Sequence, residues 1–257
     1  MLTKNQIKTI SSLSRKKFRD QLHLFTAEGS KLVTELLNGG MEATLLVTTP
    51  QWNHPQRDHY THMATETVET DAQHIKKISA LTTPSSVLGV FKIPQRHINH
   101  KQVAQSLSLV LDDIQDPGNL GTIIRIADWF GINNIFCSPN TVDAYNPKVV
   151  QATMGALCRV NVHYTPLIPL VNKYHSPSFP VYGTFLEGQI IYKEELSATG
   201  FIIMGNEGKG VSNELTQHIT KKLFIPSYPS EQDTSESLNV SVATSIVCSE
   251  FRRRLLQ

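Results

Sequence analysis

With 257 residues, 40% of them hydrophobic and 18% charged, and a formal net charge of +2, the chain has the apolar material for one large or two modest folded domains, which excludes general disorder. No apolar run approaches the ~18 residues of a membrane helix, and the polar start MLTKNQIKTI lacks the apolar stretch of a secretion signal. Cys137, Cys158 and Cys248 are too widely spaced for a disulfide framework or a CxxC metal knuckle, so a cytoplasmic protein without a membrane partner is expected.

Along the chain, KNQIKTISSLSRKKFRDQ is helical in pattern and carries Arg15, Lys16, Lys17 and Arg19. HLFTAEGSK follows as a strand and a helix start. Ser30 is placed to cap a helix with Leu32, Val33, Leu36 and Leu37 on one face, ended by Gly39-Gly40. ATLLVTT is a β-rich run, residues 51–63 are a polar loop, ATETVETDAQHIKKISAL is a strand and a helix, and TTPSSVLGVFKIP is a turn and a strand. Residues 94–100 form a polar linker. A small α/β domain over residues 1–100 results. Residues 1–105 hold 13 Lys+Arg against 8 Asp+Glu and seven of the ten histidines, whereas the remainder holds 11 against 14. A basic N-terminal part of this kind fits a polyanionic partner.

The texture changes after Gln105. SLSLVLDDI is a continuous apolar run, as in a parallel-sheet strand covered on both faces. It precedes a loop, DPGNLG, and a helix, TIIRIADWFGI. Further strands are expected at NIFCSP, PVYGTFL, FIIMG and KLFIP, with helices at NPKVVQATMGALCRV and SNELTQHITK and a long amphipathic one closing the chain. Regular strand–helix alternation implies a mostly parallel α/β sheet over residues 106–257. Ligands of such sheets sit beyond the carboxyl ends of the strands.

Three loops at such ends stand out: residues 116–125, 205–212 and 225–241. GNEGKGVS fails as a phosphate loop, because Lys209 is followed by Gly210 and not by Ser or Thr. Arg125 reads equally as a solvated partner of Asp128 or Asp112 and as a fork aimed at an anionic group such as a phosphate. Asn239 or Ser237 reads as a helix cap.

In combination, NLGTIIR, MGNEGKGVS, an Ile-Pro strand end and SLNVSVATSI resemble the three motifs of the SpoU (TrmH) family, ribose 2′-O-methyltransferases of tRNA and ribosomal RNA in the SPOUT class. The likeness spans residues 109 to about 255. The N-terminal part resembles, more weakly, the ribosomal-protein-like substrate-binding domain of many members. The resemblance implies an α/β fold with a deep trefoil knot and a homodimer formed through the C-terminal domain. It implies S-adenosylmethionine held by Thr184, Phe185, Leu186, Gly205, Asn206, Gly208, Ile225, Pro226, Leu238 and Asn239. It assigns catalysis to Arg125, with Asn119, Glu207, Ser237 and Asn239 around the same pocket.

Guanidinium is essentially always protonated, so Arg125 is read as holding the adjacent phosphate and stabilising the developing alkoxide rather than as a base. Glu207 and Asn239 are read as orienting the ribose and the loops. RNA contacts are expected from Arg15, Lys16, Lys17 and Arg19, and no metal is expected. The separate N-terminal domain favours 23S ribosomal RNA as substrate over tRNA. The competing readings are a silent RNA-binding or assembly factor on the same scaffold, which would be free to lose the five catalytic-pocket residues, and a nucleotide hydrolase, which the failed phosphate loop disfavours.

Overall fold

The computed structural model describes residues 2–229 and 237–256. The chain divides into two compact units, Met1–Gln95 with Asp143–Arg159, and Arg96–Val142 with Val160–Gln257. The expected division at residues 100–106 therefore differs in one respect: the segment containing NPKVVQATMGALC belongs with the N-terminal unit.

Unit 1 begins with α1 (Lys4–Ser12), whose Thr3 cap and Gln6 bond each other reciprocally. The single helix expected across residues 4–21 is instead two. Ser12 and Ser14 hydroxyls donate to the carbonyls of Thr9 and Ser11, competing with the helical ladder, and α2 (Lys16–Leu22) starts afresh. Then come β1 (Leu24–Glu28), α3 (Ser30–Asn38), β2 (Ala43–Thr48), α4 (Arg57–His62), β3 (Ala64–Glu69), α5 (Ala72–Ile78) and β4 (Val87–Lys92). Gly29, at φ 103°, is the cap residue of α3. Ser30 is the first helical residue, and its hydroxyl accepts a bond from Trp52 Nε1 at 2.9 Å. Helix α4 lies inside the expected loop.

The sheet order is β1-β4-β2-β3, antiparallel except for β2 with β3. One face packs Leu45, Val47, Leu88 and Val90 against Ile10 and Leu13 and against Ile75 and Ile78 of α5. The later segment supplies α8 (Pro147–Thr153), which packs on β1. Just before α8, Tyr145 meets Phe25 at 5.0 Å between ring centroids, and Phe25 stacks on Phe91. Each such ring pair contributes about 0.5–1.5 kcal/mol beyond its buried area.

Unit 2 contains α6 (His100–Ala104), β5 (Leu107–Leu111), α7 (Pro117–Trp129), β6 (Asn134–Cys137), β7 (Asn161–Tyr164), α9 (Leu167–Tyr174), β8 (Val181–Ile190), β9 (Gly200–Met204), α10 (Asn213–Thr216), β10 (Lys221–Phe224) and α11 (Val240–Arg253). All six strands are parallel, in the order β10-β8-β9-β5-β6-β7. Strand β7 and helix α9 were not expected from the sequence. DPGNLG is not a loop: Asp116 caps α7 by accepting from Asn119 N, and Pro117 opens it.

Phe136, Phe201, Phe179 and Val181 form the centre of the core on one face, together with Leu170 and Val171 of α9. Helix α11 packs against α7, and Phe251 sets its ring edge-on to Tyr182 at 4.9 Å. Arg252 donates to the carbonyls of Phe130 and Gly131 at 2.6 and 3.0 Å, closing the C-terminal end of α7. Arg253 and Arg254 both bond buried Glu250. These three guanidiniums thus serve the chain's own helix ends. Among the described residues no helix is long and apolar enough to cross a membrane.

Candidate active site

Adjacent parallel strands bring their carboxyl ends together, and the three loops leave from that edge. Strand β5 ends at Leu111 and is followed by Asp112 and Asp113, the latter at φ 59°, a left-handed conformation rare outside glycine. Its main chain is fixed on both sides: Asp113 N donates to Ser138 Oγ at 2.9 Å, and its carbonyl accepts from Asn206 Nδ2 at 2.7 Å. Asp112 Oδ2 accepts from Ser212 N at 2.8 Å. The first motif loop is thereby pinned to the second.

The second loop folds on itself. Asn206 and Gly210 exchange two main-chain bonds at 2.9 Å, while Asn206 Oδ1 accepts from Gly208 N and Lys209 N. A Cβ on Gly205 would lie 2.2 Å from Gly210 C and Val211 N, so only glycine permits this closure. The Asn206 side chain is engaged within the loops and positions them. The paired aspartates and this use of Asn206 were not anticipated; the one sequence signal was the acidic pair directly after a buried strand.

Three motif residues join in one chain of hydrogen bonds. Asn119 Nδ2 donates to Glu207 Oε1 at 3.0 Å, and Asn239 Nδ2 donates to Asn119 Oδ1 at 2.9 Å. Asn239 Oδ1 in turn accepts from Ser241 N, Ser241 Oγ and Val242 N, capping α11. The amides must be oriented as stated, because the carboxylate of Glu207 only accepts when ionised. Ser237 is exposed and stands outside this chain of bonds. Thr184 Oγ1 lies 3.4 Å from the Ile203 carbonyl and 3.6 Å from Met204 Sδ, which places it beside the start of the glycine loop. Leu186 and Leu238 remain 65% and 47% exposed, and Ile225 and Pro226 are half-buried at the end of β10. Residues 230–236 of the third loop lie outside the described residues.

Arg125 is exposed and forms no ion pair with Asp112 or Asp128 among the described residues. With α7 beginning at Pro117, it stands past the second turn, away from the helix N-terminus where a cation is disfavoured. In unit 1, Arg15, Lys16 and Lys17 are exposed, with Lys16 paired to Asp20 at 2.8 Å. Arg19 is a correction: it is 2% exposed, bonds Asp143 Oδ2 through Nε and Nη2 at 2.8 and 2.6 Å, and donates to the Leu13 carbonyl. It is unavailable to an RNA phosphate. Among the described residues no cluster of three or more His, Cys, Asp or Glu side chains is arranged to hold a metal ion.

The SpoU rRNA Methylase family model matches residues 106–249, and the MRM3-like substrate binding domain matches residues 4–89. The 23S rRNA (guanosine(2553)-2′-O)-methyltransferase RlmP of Bacillus subtilis is 31% identical over 97% of both chains. A putative TrmH-family RNA methyltransferase structure from Porphyromonas gingivalis is 39% identical, with a TM-score of 0.85 over 99% of both chains. An AdoMet-bound rRNA methyltransferase from Sinorhizobium meliloti is 30% identical, with a TM-score of 0.87 over 100% of this chain and 97% of its own. The chain belongs to the SpoU rRNA methylase family.

Proposed function

We propose that this protein methylates a ribose 2′-hydroxyl of 23S ribosomal RNA with S-adenosylmethionine as donor. The observation that carries the reading is the hydrogen-bonded chain Glu207–Asn119–Asn239, which locks the three motif loops into one arrangement at the carboxyl edge of a parallel sheet. The donor fits the residues present. Gly205 lets two backbone segments close on each other, and the exposed apolar side chains of Leu186 and Leu238 suit an adenine ring. Thr184, Phe185, Leu186, Gly205, Gly208, Ile225, Pro226 and Leu238 would hold it, largely through main-chain groups. The donor supplies an electrophilic methyl group.

The protein's own contribution is positioning, which in favourable systems supplies up to about 7–11 kcal/mol of barrier reduction. Arg125, exposed and without an ion pair among the described residues, binds the phosphate next to the target ribose with its two-pronged fork and stabilises the oxygen as its proton leaves. Asn119 and Glu207 fix the ribose in line. Proton transfer goes to the phosphate or to water, because Arg125 stays charged. Arg15, Lys16 and Lys17 bind RNA backbone.

The family's knot and dimer are part of the same proposal. Strand β10 lies at the edge of the sheet beside β8, whereas Asn239 lies next to Asn119 beyond β5, a separation that supports the knotted reading. Trp129 on α7 is 84% exposed and Val242 on the neighbouring α11 is 48% exposed, a surface suited to a second copy; light scattering on the purified protein tests that arrangement.

Transfer of labelled methyl into RNA from a strain lacking this protein tests the main reading, with tRNA and ribosomal RNA separated and Arg125→Ala as control. Label in 23S rRNA that disappears with the variant supports it. Label confined to tRNA, or none in any RNA including ribosomal precursors, overturns it.

A further inference from the structure

Unit 1 holds a cavity of about 300 Å³ apart from the methyl-transfer site. Thr26, Glu28, Leu81, Lys148, Gln151 and Ala152 are among the residues lining it. Its size is at the lower end of ligand pockets, roughly 300–1,000 Å³, which suits a single heterocycle rather than a whole nucleotide. Its distinctive group is Glu28, only 4% exposed. Among the described residues two neutral donors bind that carboxylate, one on each oxygen: Ser79 Oγ to Oε2 at 2.6 Å and Ala80 N to Oε1 at 2.7 Å. A carboxylate offers about four acceptor positions, so half of its capacity is unused on the wall of a cavity it lines.

We propose that this cavity receives an unstacked guanine base of single-stranded RNA. Guanine carries two neighbouring donors, N1–H and the N2 amino group, that can meet one carboxylate together. Adenine, cytosine and uracil each present a single donor group on that edge. Alanine, leucine and proline walls accept the faces of the ring, and the exposed Lys148 at the rim, with Lys76 and Lys77 shortly before Ala80, supplies charge for the flanking phosphates. Reading of splayed-out bases is the usual way that proteins recognise RNA sequence. The proposal rests on the reading of this chain as RNA-binding and adds a sequence-selecting site remote in sequence from the three methyl-transfer loops.

The test is fluorescence anisotropy with the full-length protein and oligouridine hexamers carrying one central guanosine, inosine or adenosine. Inosine keeps N1–H and lacks the amino group. The guanosine hexamer is expected to bind about tenfold tighter than the adenosine one, with inosine between them, as for one well-made base contact. Ala152→Phe, which fills the cavity, and Glu28→Gln are each expected to reduce guanosine binding to the adenosine level, while Ala152→Ser keeps the preference. If either variant fails to fold by circular dichroism, Lys148→Glu at the exposed rim replaces it and is expected to weaken the guanosine hexamer several-fold.

Equal affinity of the wild-type protein for guanosine and adenosine hexamers overturns the proposal. So does a preference that survives a folded Ala152→Phe, or guanosine monophosphate binding as tightly as the hexamer. The assay contains no S-adenosylmethionine and reads no methyl transfer, so its failure and the failure of the methylation reading are separate results.

Discussion

The buried pair Arg19–Asp143 allows an energetic prediction that separates a structural arginine from an RNA-binding one. Arg19→Ala removes two bonds to Asp143 Oδ2 and one to the Leu13 carbonyl. Breaking a buried pair by removing one partner costs about 3–5 kcal/mol. Asp143 keeps 13% of its side-chain surface exposed, so it is partly hydrated when stranded and the lower value of about 3 kcal/mol applies to the charge. The deprived Leu13 carbonyl adds about 1 kcal/mol. A total near 4 kcal/mol lowers Tm by about 8–16 °C at 2–4 °C per kcal/mol.

Urea and thermal unfolding followed by fluorescence measure this in a Trp129→Phe background, where the buried Trp52 reports on unit 1. Arg19→Met with Asp143→Leu, which removes both charges, is expected to recover about half of the loss or more. Arg15→Ala, on the surface, is expected to stay within about 0.5 kcal/mol of the parent. An Arg19→Ala protein within about 1 kcal/mol of the parent, or a double variant no better than the single one, refutes the argument.

Three further outcomes are expected. Gly205→Ala forces the glycine loop open, because its methyl would meet main chain at 2.2 Å, and calorimetric titration should find S-adenosylmethionine affinity reduced at least about tenfold, consistent with ~1.4 kcal/mol or more. Burial pushes the Cys248 thiol up to about 12 and raises Cys137 further; a thiol reagent should therefore titrate only the half-buried Cys158 in the native protein and all three in urea, and two or more fast native thiols would contradict the packing. The side-chain bond from Arg253, with that from Arg254, holds the Glu250 carboxyl below its ordinary range. Its stabilising effect is thus full above the unfolded value of about 4.3 and is lost as pH falls through the lower folded value, so Glu250→Gln should be less stable than the parent at pH 7 and converge with it in acid-unfolding curves.

The alternation of apolar runs and amphipathic segments made the parallel sheet of unit 2 legible, because strands buried on both faces, such as Leu107–Leu111, leave an unbroken apolar signal. Strand β7 leaves little signal in the sequence because Asn161–Tyr164 is a short edge strand with a half-buried pattern. Asp116-Pro117 is a strong start signal for α7, but Gly118 and Gly121 within the helix resemble turn chemistry and mask its first turns. Asn119, Glu207 and Asn239 were legible only as members of a resemblance. Their bonds connect positions 88 and 120 residues apart in sequence, and no local pattern encodes such a meeting. The burial of Arg19 is illegible for a related reason: its neighbours are exposed cations, and the aspartate that takes it into the interior lies 124 residues downstream.

Helix α8 makes unit 1 a product of two separated stretches of gene. A fragment ending near Gln95 would leave Phe25 without Tyr145 and Arg19 without its counter-charge. During synthesis, unit 1 cannot finish folding until Arg159 has left the ribosome, whereas domains generally complete in order from the N-terminus. The same arrangement constrains exchange between relatives. Unit 1 cannot be transplanted as a cassette unless residues 143–159 travel with it, so changes in β1 and in the stretch of chain between β6 and β7 are obliged to go together.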